Sequence, residues 1–209
     1  MKKRFLKLFT LSTDMFKRII RKIIFLFLVF VRRFYLFKLP NIFSDTRIEL
    51  KTIPFFQQTT IIRGKGKIFI GEKCMFGTID GGFNRNGTIE IQARFINAII
   101  NIGNNVATNN NIFICSANKI YIGDNTLIGQ NVTLMDFEAH GVEPSKRREI
   151  GEIGEIVIGS NVWIGNNVLI LKDSYVGNNS IIAAGAVVKG KFPENVVIGG
   201  IPAKIIKYL

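Results

Sequence analysis

The sequence predicts an all-β solenoid, a parallel β-helix with one extruded loop, preceded by a basic amphipathic α-helical segment. Three observations predict it: aliphatic residues that return every six positions, one long charge-rich stretch where that return stops, and a crowd of bases ahead of Pro40. At 209 residues and 47% hydrophobic content the chain can bury a sizeable core, which excludes disorder for most of it. Cys74 and Cys115 are too few for a disulfide framework and lack the spacing of a zinc site, as expected of a reducing, cytoplasmic compartment.

The net charge of +13 belongs to one end of the chain. Residues 1–40 hold 11 of the 28 Lys and Arg and a single acid, Asp14, for a net +10; the rest of the chain carries 17 bases and 14 acids, for a net +3. The longest apolar run, residues 23–31, has nine residues, where a spanning helix needs about 20. Arg32-Arg33-Phe34-Tyr35 follows it instead of a small-residue cleavage site, which argues against secretion. Residues 1–45 are therefore expected to form one or two amphipathic helices in peripheral contact with an anionic membrane, on the cytoplasmic face of the inner membrane. The alternative is a helical cap on the first coil or on a neighbouring subunit.

The repeat defines the body, residues 46–209. Ile158, Ile164, Ile170, Val176, Ile182 and Val188 follow one another at intervals of six, each trailed by Gly or another residue in fixed phase. The phase reappears at Ile122, Ile128 and Leu134, at Ile102 and Ile114, and at Ile70 and Phe76. Neither a helix of 3.6 residues per turn nor a strand of period two explains such a return. A three-sided solenoid does: each hexapeptide is a short strand plus a turn, and three make a coil of about 18 residues. Gly103-Asn104-Asn105 and Gly165-Asn166-Asn167 suit the corners, because Gly and Asn tolerate positive φ.

Between Leu134 and Ile158 the hexapeptides stop, so residues 135–157 are expected to be extruded as a loop. It carries the only histidine, His140. Function concentrates in loops on rigid scaffolds. Acyl transfer to an alcohol needs a base poised near neutral pH to take the hydroxyl proton, and histidine has that pKa. Asp136 or Glu138 is the expected partner that fixes its tautomer.

Val162-Trp163-Ile164-Gly165, the run from Ile182 through Ala183-Ala184-Gly185-Ala186 to Val188, and Gly200-Ile201-Pro202-Ala203-Lys204 resemble, almost position for position, the closing signature of the hexapeptide-repeat acyltransferases. The resemblance covers about residues 60–205. It is closest to the galactoside and maltose acetyltransferases and to the O-acetyltransferases of bacterial surface polysaccharides, whose loop resembles residues 136–148.

The resemblance implies a left-handed winding, against the general right-handed preference of parallel crossovers. It implies acetyl-CoA as co-substrate, a homotrimer with sites shared between subunits, and a sugar or polysaccharide acceptor. Trp163 would line the tunnel near acceptor and thioester; Asn166, Ala183, Ala184 and Gly185 would meet the pantetheine arm. Lys204 and Lys207 match basic positions that take the phosphates of coenzyme A, and Lys189 stands where relatives often have Thr. Asn109 matches a sugar-binding asparagine, whereas Ala117 replaces an acceptor-binding acid.

The function expected is O-acetyl transfer from acetyl-CoA to a sugar hydroxyl of a surface polysaccharide or its precursor. An N-acetyltransferase acting on an amino-sugar nucleotide and a non-catalytic scaffold at a membrane are the alternatives. No metal is expected, since the zinc enzymes of this fold use three histidines. Nucleic acid is not expected either, because the bases of the body are not interleaved with exposed aromatics.

Overall fold

The computed structural model describes residues 2–209, with side chains from Met15 onward. One α-helix, Lys2–Arg33, runs without a break into a π-helical turn, Phe34–Lys38, and a 3-10 turn, Leu39–Asn41. Seven coils follow from Arg47. Their strands stack into three sheets of seven, eight and six strands, the faces of a prism. The first sheet runs from Arg47–Leu50 to Lys191–Phe192, the second from Phe55–Phe56 to Val196–Gly200, and the third from Thr60–Gly64 to Val187–Val188. Neighbours pair in parallel except at the end, where Ala203–Tyr208 returns antiparallel along Val196–Gly200.

The six-residue aliphatics point inward and stack in register. Ile68, Ile100, Ile120 and Ile156 form one fully buried column, and Ile70, Ile102, Ile122 and Ile158 the next. The coils differ in length. The coil that carries Ile99 to its partner Lys119 is longer than the one that carries Ile156 to Ser174. The surplus lies between Ile114 and Ile122, where the hexapeptide phase slips.

Asparagine holds the corners through its backbone and its side chain together. Asn111, Asn131 and Asn167 all adopt positive φ, a conformation their short amide tolerates. Stacked one above another, they pass a hydrogen bond down the corner: Asn111 Nδ2 to Asn131 Oδ1 at 2.9 Å, then Asn131 Nδ2 to Asn167 Oδ1 at 2.8 Å. Gly185 occupies the equivalent place one coil lower, at φ +74°.

The N-terminal segment has two parts. Residues 34–46 cap the solenoid: the Phe37 ring stacks on Phe56 at 4.4 Å, Asn41 Nδ2 donates to the Thr60 carbonyl at 2.7 Å, and the Thr46 hydroxyl donates to the Gly64 carbonyl at 2.7 Å. These contacts cover the open end of the third sheet. Before them only the end of the helix meets the body, where Leu26, Val29, Phe30 and Arg33 line a groove with Ile53, Pro54 and Phe55, while Ile23, Ile24, Phe25, Leu26, Phe27, Leu28 and Phe30 stay more than half exposed. No described helix is long and apolar enough to cross a membrane.

Strands begin earlier than the repeat is legible, at Arg47, and two excursions break the coils. One, residues 77–88, separates Met75–Phe76 from Ile89–Ala93. The other is shorter than the expected 135–157, because Met135 still pairs with Leu171 and Glu155 already pairs with Lys119. Both thiols are buried and free; burial pushes Cys115 up to about 11 and raises Cys74 as well.

Candidate active site

Residues 136–154 form an ordered hairpin at the corner between the third and first sheets. Its limbs pair through Phe137 and Ile153, with Glu138 N–H donating to the Glu152 carbonyl at 2.9 Å and Gly151 N–H to the Glu138 carbonyl at 3.0 Å. At Gly151 a Cβ would come within 2.7 Å of the His140 carbonyl oxygen, so only glycine lets the limbs close this far. Phe137 anchors the base in a small apolar cluster with Cys115 and Ala117, and the Arg94 guanidinium lies 5.2 Å from its ring centroid. Near the tip, the 3-10 turn Pro144–Lys146 reverses the chain.

His140 is exposed on the first limb, and its Nδ1 lies 2.7 Å from the Arg147 carbonyl oxygen on the second. A backbone carbonyl only accepts, so Nδ1 carries a proton and, in the neutral ring, the lone pair is on Nε2. This is the tautomer a general base requires. Arg147 reaches back to donate from Nη1 to the Gly141 carbonyl at 3.1 Å, which ties the two limbs around the imidazole.

The expected carboxylate partners are engaged elsewhere, and this corrects the expectation from sequence. Asp136 is fully buried and accepts from the Ser116 hydroxyl at 2.6 Å, Ala117 N–H at 2.6 Å and Asn118 N–H at 3.2 Å. It fixes the corner from which the hairpin springs. Ala117, at the place of the family's acceptor-binding acid, contributes its backbone to that corner. Glu138 faces the buried Lys172, 3.6 Å away, which also pairs with Glu152 and, at 3.4 Å, with Asp173. The bond from Lys172 holds the Glu152 carboxyl below the usual carboxylate range, and the same bond raises Lys172.

The second group of expected residues meets on another face. Asn109, Trp163 and Asn166 line one groove of about 290 Å³ on the second sheet, together with Thr78, Thr108 and Leu127. Asn109 Oδ1 accepts Asn110 N–H at 2.7 Å and Asn166 Oδ1 accepts Gln130 N–H at 2.8 Å. Each Nδ2 is left without a protein partner among the described residues. Ala183, Ala184 and Gly185 form the same corner one coil below, joined to it by Gly185 N–H donating to the Asn166 carbonyl at 2.9 Å. A Cβ on Gly185 would meet nothing within 4 Å, so this corner is open surface. Down the sheet, Trp163 pairs with Ile181, Ile181 with Val197 and Val197 with Lys207, which puts Lys207 about 14 Å from Trp163 at the usual strand spacing. Lys204 and Lys207 are exposed there, suited to an anion at the end of an apolar track.

The expected residues thus fall into two halves within one chain. His140 leaves the corner between the third and first sheets, and Lys189, just after Val187–Val188, sits at that corner too, away from the other residues expected to bind the cofactor. The groove residues belong to the second sheet and its corner with the third. Sequence reasoning missed the Arg147 carbonyl, which carries no side-chain signal, and Lys172, whose partners Glu138 and Glu152 come from the two limbs of the hairpin in the coil before it.

The sequence is similar to known proteins over most of its length. The model of the bacterial transferase hexapeptide (six repeats) family matches residues 155–190. A putative lipopolysaccharide biosynthesis O-acetyl transferase of Escherichia coli strain K12 is 32% identical over 174 residues, 78% of this chain and 82% of that protein. The galactoside O-acetyltransferase of the same strain is 38% identical over 138 residues, 65% of each chain. Among solved structures, a galactoside acetyltransferase in complex with coenzyme A superposes with a TM-score of 0.50 at 25% identity, over 82% of this chain and 68% of that one. A polysialic acid O-acetyltransferase, 21% identical with a TM-score of 0.53 over 78% of this chain and 85% of its own, shares the fold.

Proposed function

The chain belongs to the hexapeptide-repeat acyltransferases and is an acetyl-CoA-dependent acetyltransferase, and from that premise we propose that it acetylates a hydroxyl of a sugar in a bacterial surface polysaccharide or its precursor. The observation that carries the reading is the His140 to Arg147 hydrogen bond, which turns Nε2, the nitrogen free to act as the base, outward on an exposed hairpin. Nε2 takes the proton of the acceptor hydroxyl as its oxygen attacks the thioester carbonyl. A carbon–oxygen bond forms, the carbon–sulfur bond breaks, and the imidazolium returns the proton to the departing sulfur.

The prism winds left-handed in this reading, as in the family, and three copies assemble around an axis. The outward surface of the second sheet supports the assembly, since it presents Leu127 and Trp163, both more than half exposed. The hairpin of one subunit reaches the groove of the next, bringing His140 to Asn109 and Trp163. Asn109 Nδ2 donates to the acceptor sugar, Trp163 flanks the thioester, and the open corner at Ala183, Ala184 and Gly185 leads the pantetheine arm toward Lys204 and Lys207. Lys189, beside the hairpin, contributes from the other subunit. The exposed apolar helix before Phe34 holds the enzyme at the cytoplasmic face of a membrane, where polysaccharide precursors are assembled.

Incubation of the purified protein with acetyl-CoA and de-O-acetylated surface polysaccharide tests the reading. Mass spectrometry should find one acetyl unit added per modified residue and coenzyme A released in equal amount. Release of coenzyme A with no acetylated sugar would contradict it.

A further inference from the structure

We infer that the excursion at residues 77–88 is an acceptor-specificity element that binds the sugar residues next to the one acetylated. The inference rests on the acetyl-transfer reading of the second-sheet groove and extends it to a polymeric acceptor. The excursion leaves the corner between the second and third sheets, directly above Asn109, and Thr78 forms part of the groove wall.

Two buried amides are committed to holding it. Asn110, fully buried, donates from Nδ2 to the carbonyls of Thr78 at 2.7 Å and Gly82 at 2.9 Å, and its Oδ1 accepts Thr78 N–H at 2.8 Å. Gln58, also buried, donates to the Phe83 carbonyl at 2.6 Å and accepts Asn111 N–H at 2.7 Å. Moving the loop would strand both side chains without partners in the interior, so its position is fixed.

The loop also touches the acceptor asparagine. A Cβ on Gly81 would come within 2.3 Å of Asn109 Oδ1, so the loop backbone lies directly on that side chain. Outward, the same rigid loop exposes Ile79 and Phe83 beside Asp80 and Arg85. An aromatic ring with a carboxylate and a guanidinium nearby suits a saccharide, which offers an apolar C–H face and a rim of hydroxyls. A groove of about 290 Å³ lies at the small end for ligand sites and takes roughly one sugar ring, so a longer acceptor must continue past its end, where this loop stands.

The test compares acetylation of de-O-acetylated surface polysaccharide cut to one repeating unit and to three. Combined Phe83→Ala and Arg85→Ala substitutions should lower the ratio of kcat/KM for the long fragment over the short one by about tenfold, the effect of one strong contact. Gly81→Ala, which displaces Asn109, should lower kcat/KM for both fragments alike. An unchanged ratio in the double variant, or its dissociation into smaller species by light scattering, would overturn the inference and make the loop a plain structural or subunit contact. Failure of the unsubstituted enzyme to acetylate either fragment would instead overturn the polysaccharide reading, and the inference with it.

Discussion

The Nδ1 of His140 lies 2.7 Å from the carbonyl oxygen of Arg147, so a backbone oxygen, not a carboxylate, sets the tautomer of the imidazole. That oxygen is held by the hairpin itself. His140→Ala should therefore lower kcat by about 10² to 10⁴ while the KM for acetyl-CoA changes little, because general-base catalysis contributes on that scale. Steady-state kinetics with each substrate varied in turn gives the answer. Retention of more than half the rate would remove His140 from the chemistry, and a fall of only a few-fold would favour an amine acceptor, which needs less help from a base.

Asp136→Asn should act on stability before rate. The carboxylate accepts three hydrogen bonds in a fully buried corner, and an amide turns one acceptor into a donor facing other donors. A loss of about 1–3 kcal/mol in urea denaturation is expected, with the folded variant losing less activity than His140→Ala. A stable Asp136→Asn variant as inactive as His140→Ala would return Asp136 to a direct catalytic role.

Lys172 and Glu152 pin the base of the hairpin, and their shifts set a pH window. The Glu152 carboxyl is depressed in the folded protein, so its contribution is present above its unfolded pKa of about 4.3 and fades as pH falls through the folded value. Lys172 is raised, so its contribution is full below about 10.4 and fades as pH rises beyond that. The difference in Tm between the natural protein and Lys172→Met should be flat from about pH 5 to 9 and shrink on the acid side below about 4. A difference that grows toward acid would contradict the pairing.

The exposed helix before the cap should bind anionic lipid. Residues 1–40 bring a net +10, and each Lys or Arg near such a surface is worth about 1 kcal/mol, screened by salt. The full chain should sediment with phosphatidylserine vesicles at low salt, less so at high salt, and a chain lacking residues 1–33 should remain in solution. Indifference of the full chain to these vesicles would leave the helix a partner for protein alone.

Much of this was legible in the sequence, for a physical reason. A solenoid writes its core as a local period, so Ile158 through Val188 display their burial one hexapeptide at a time. The hairpin was visible as the place where the period stops, and His140 as the one group in it suited to proton transfer. The upper coils were less legible, since their greater length and the excursion at residues 77–88 break the phase. The roles of Asp136 and Glu138 were misassigned because nearness in sequence says nothing of direction: Asp136 turns into the corner with Ser116, and Glu138 toward Lys172.

The division of the site is the centre of the account, and hybrid trimers test it most directly. His140→Ala keeps the groove and loses the base; a chain with Asn109→Ala and Trp163→Ala keeps the base and loses the groove. Each should be inactive alone. Refolded together in equal amounts, they should regain about a quarter of the natural rate, because a site between two subunits is intact when an unaltered hairpin meets an unaltered groove, a chance of roughly one half for each. No recovery in mixtures that light scattering confirms as trimers of about 70 kDa, three chains of 23.5 kDa, would put both halves in one subunit and contradict it.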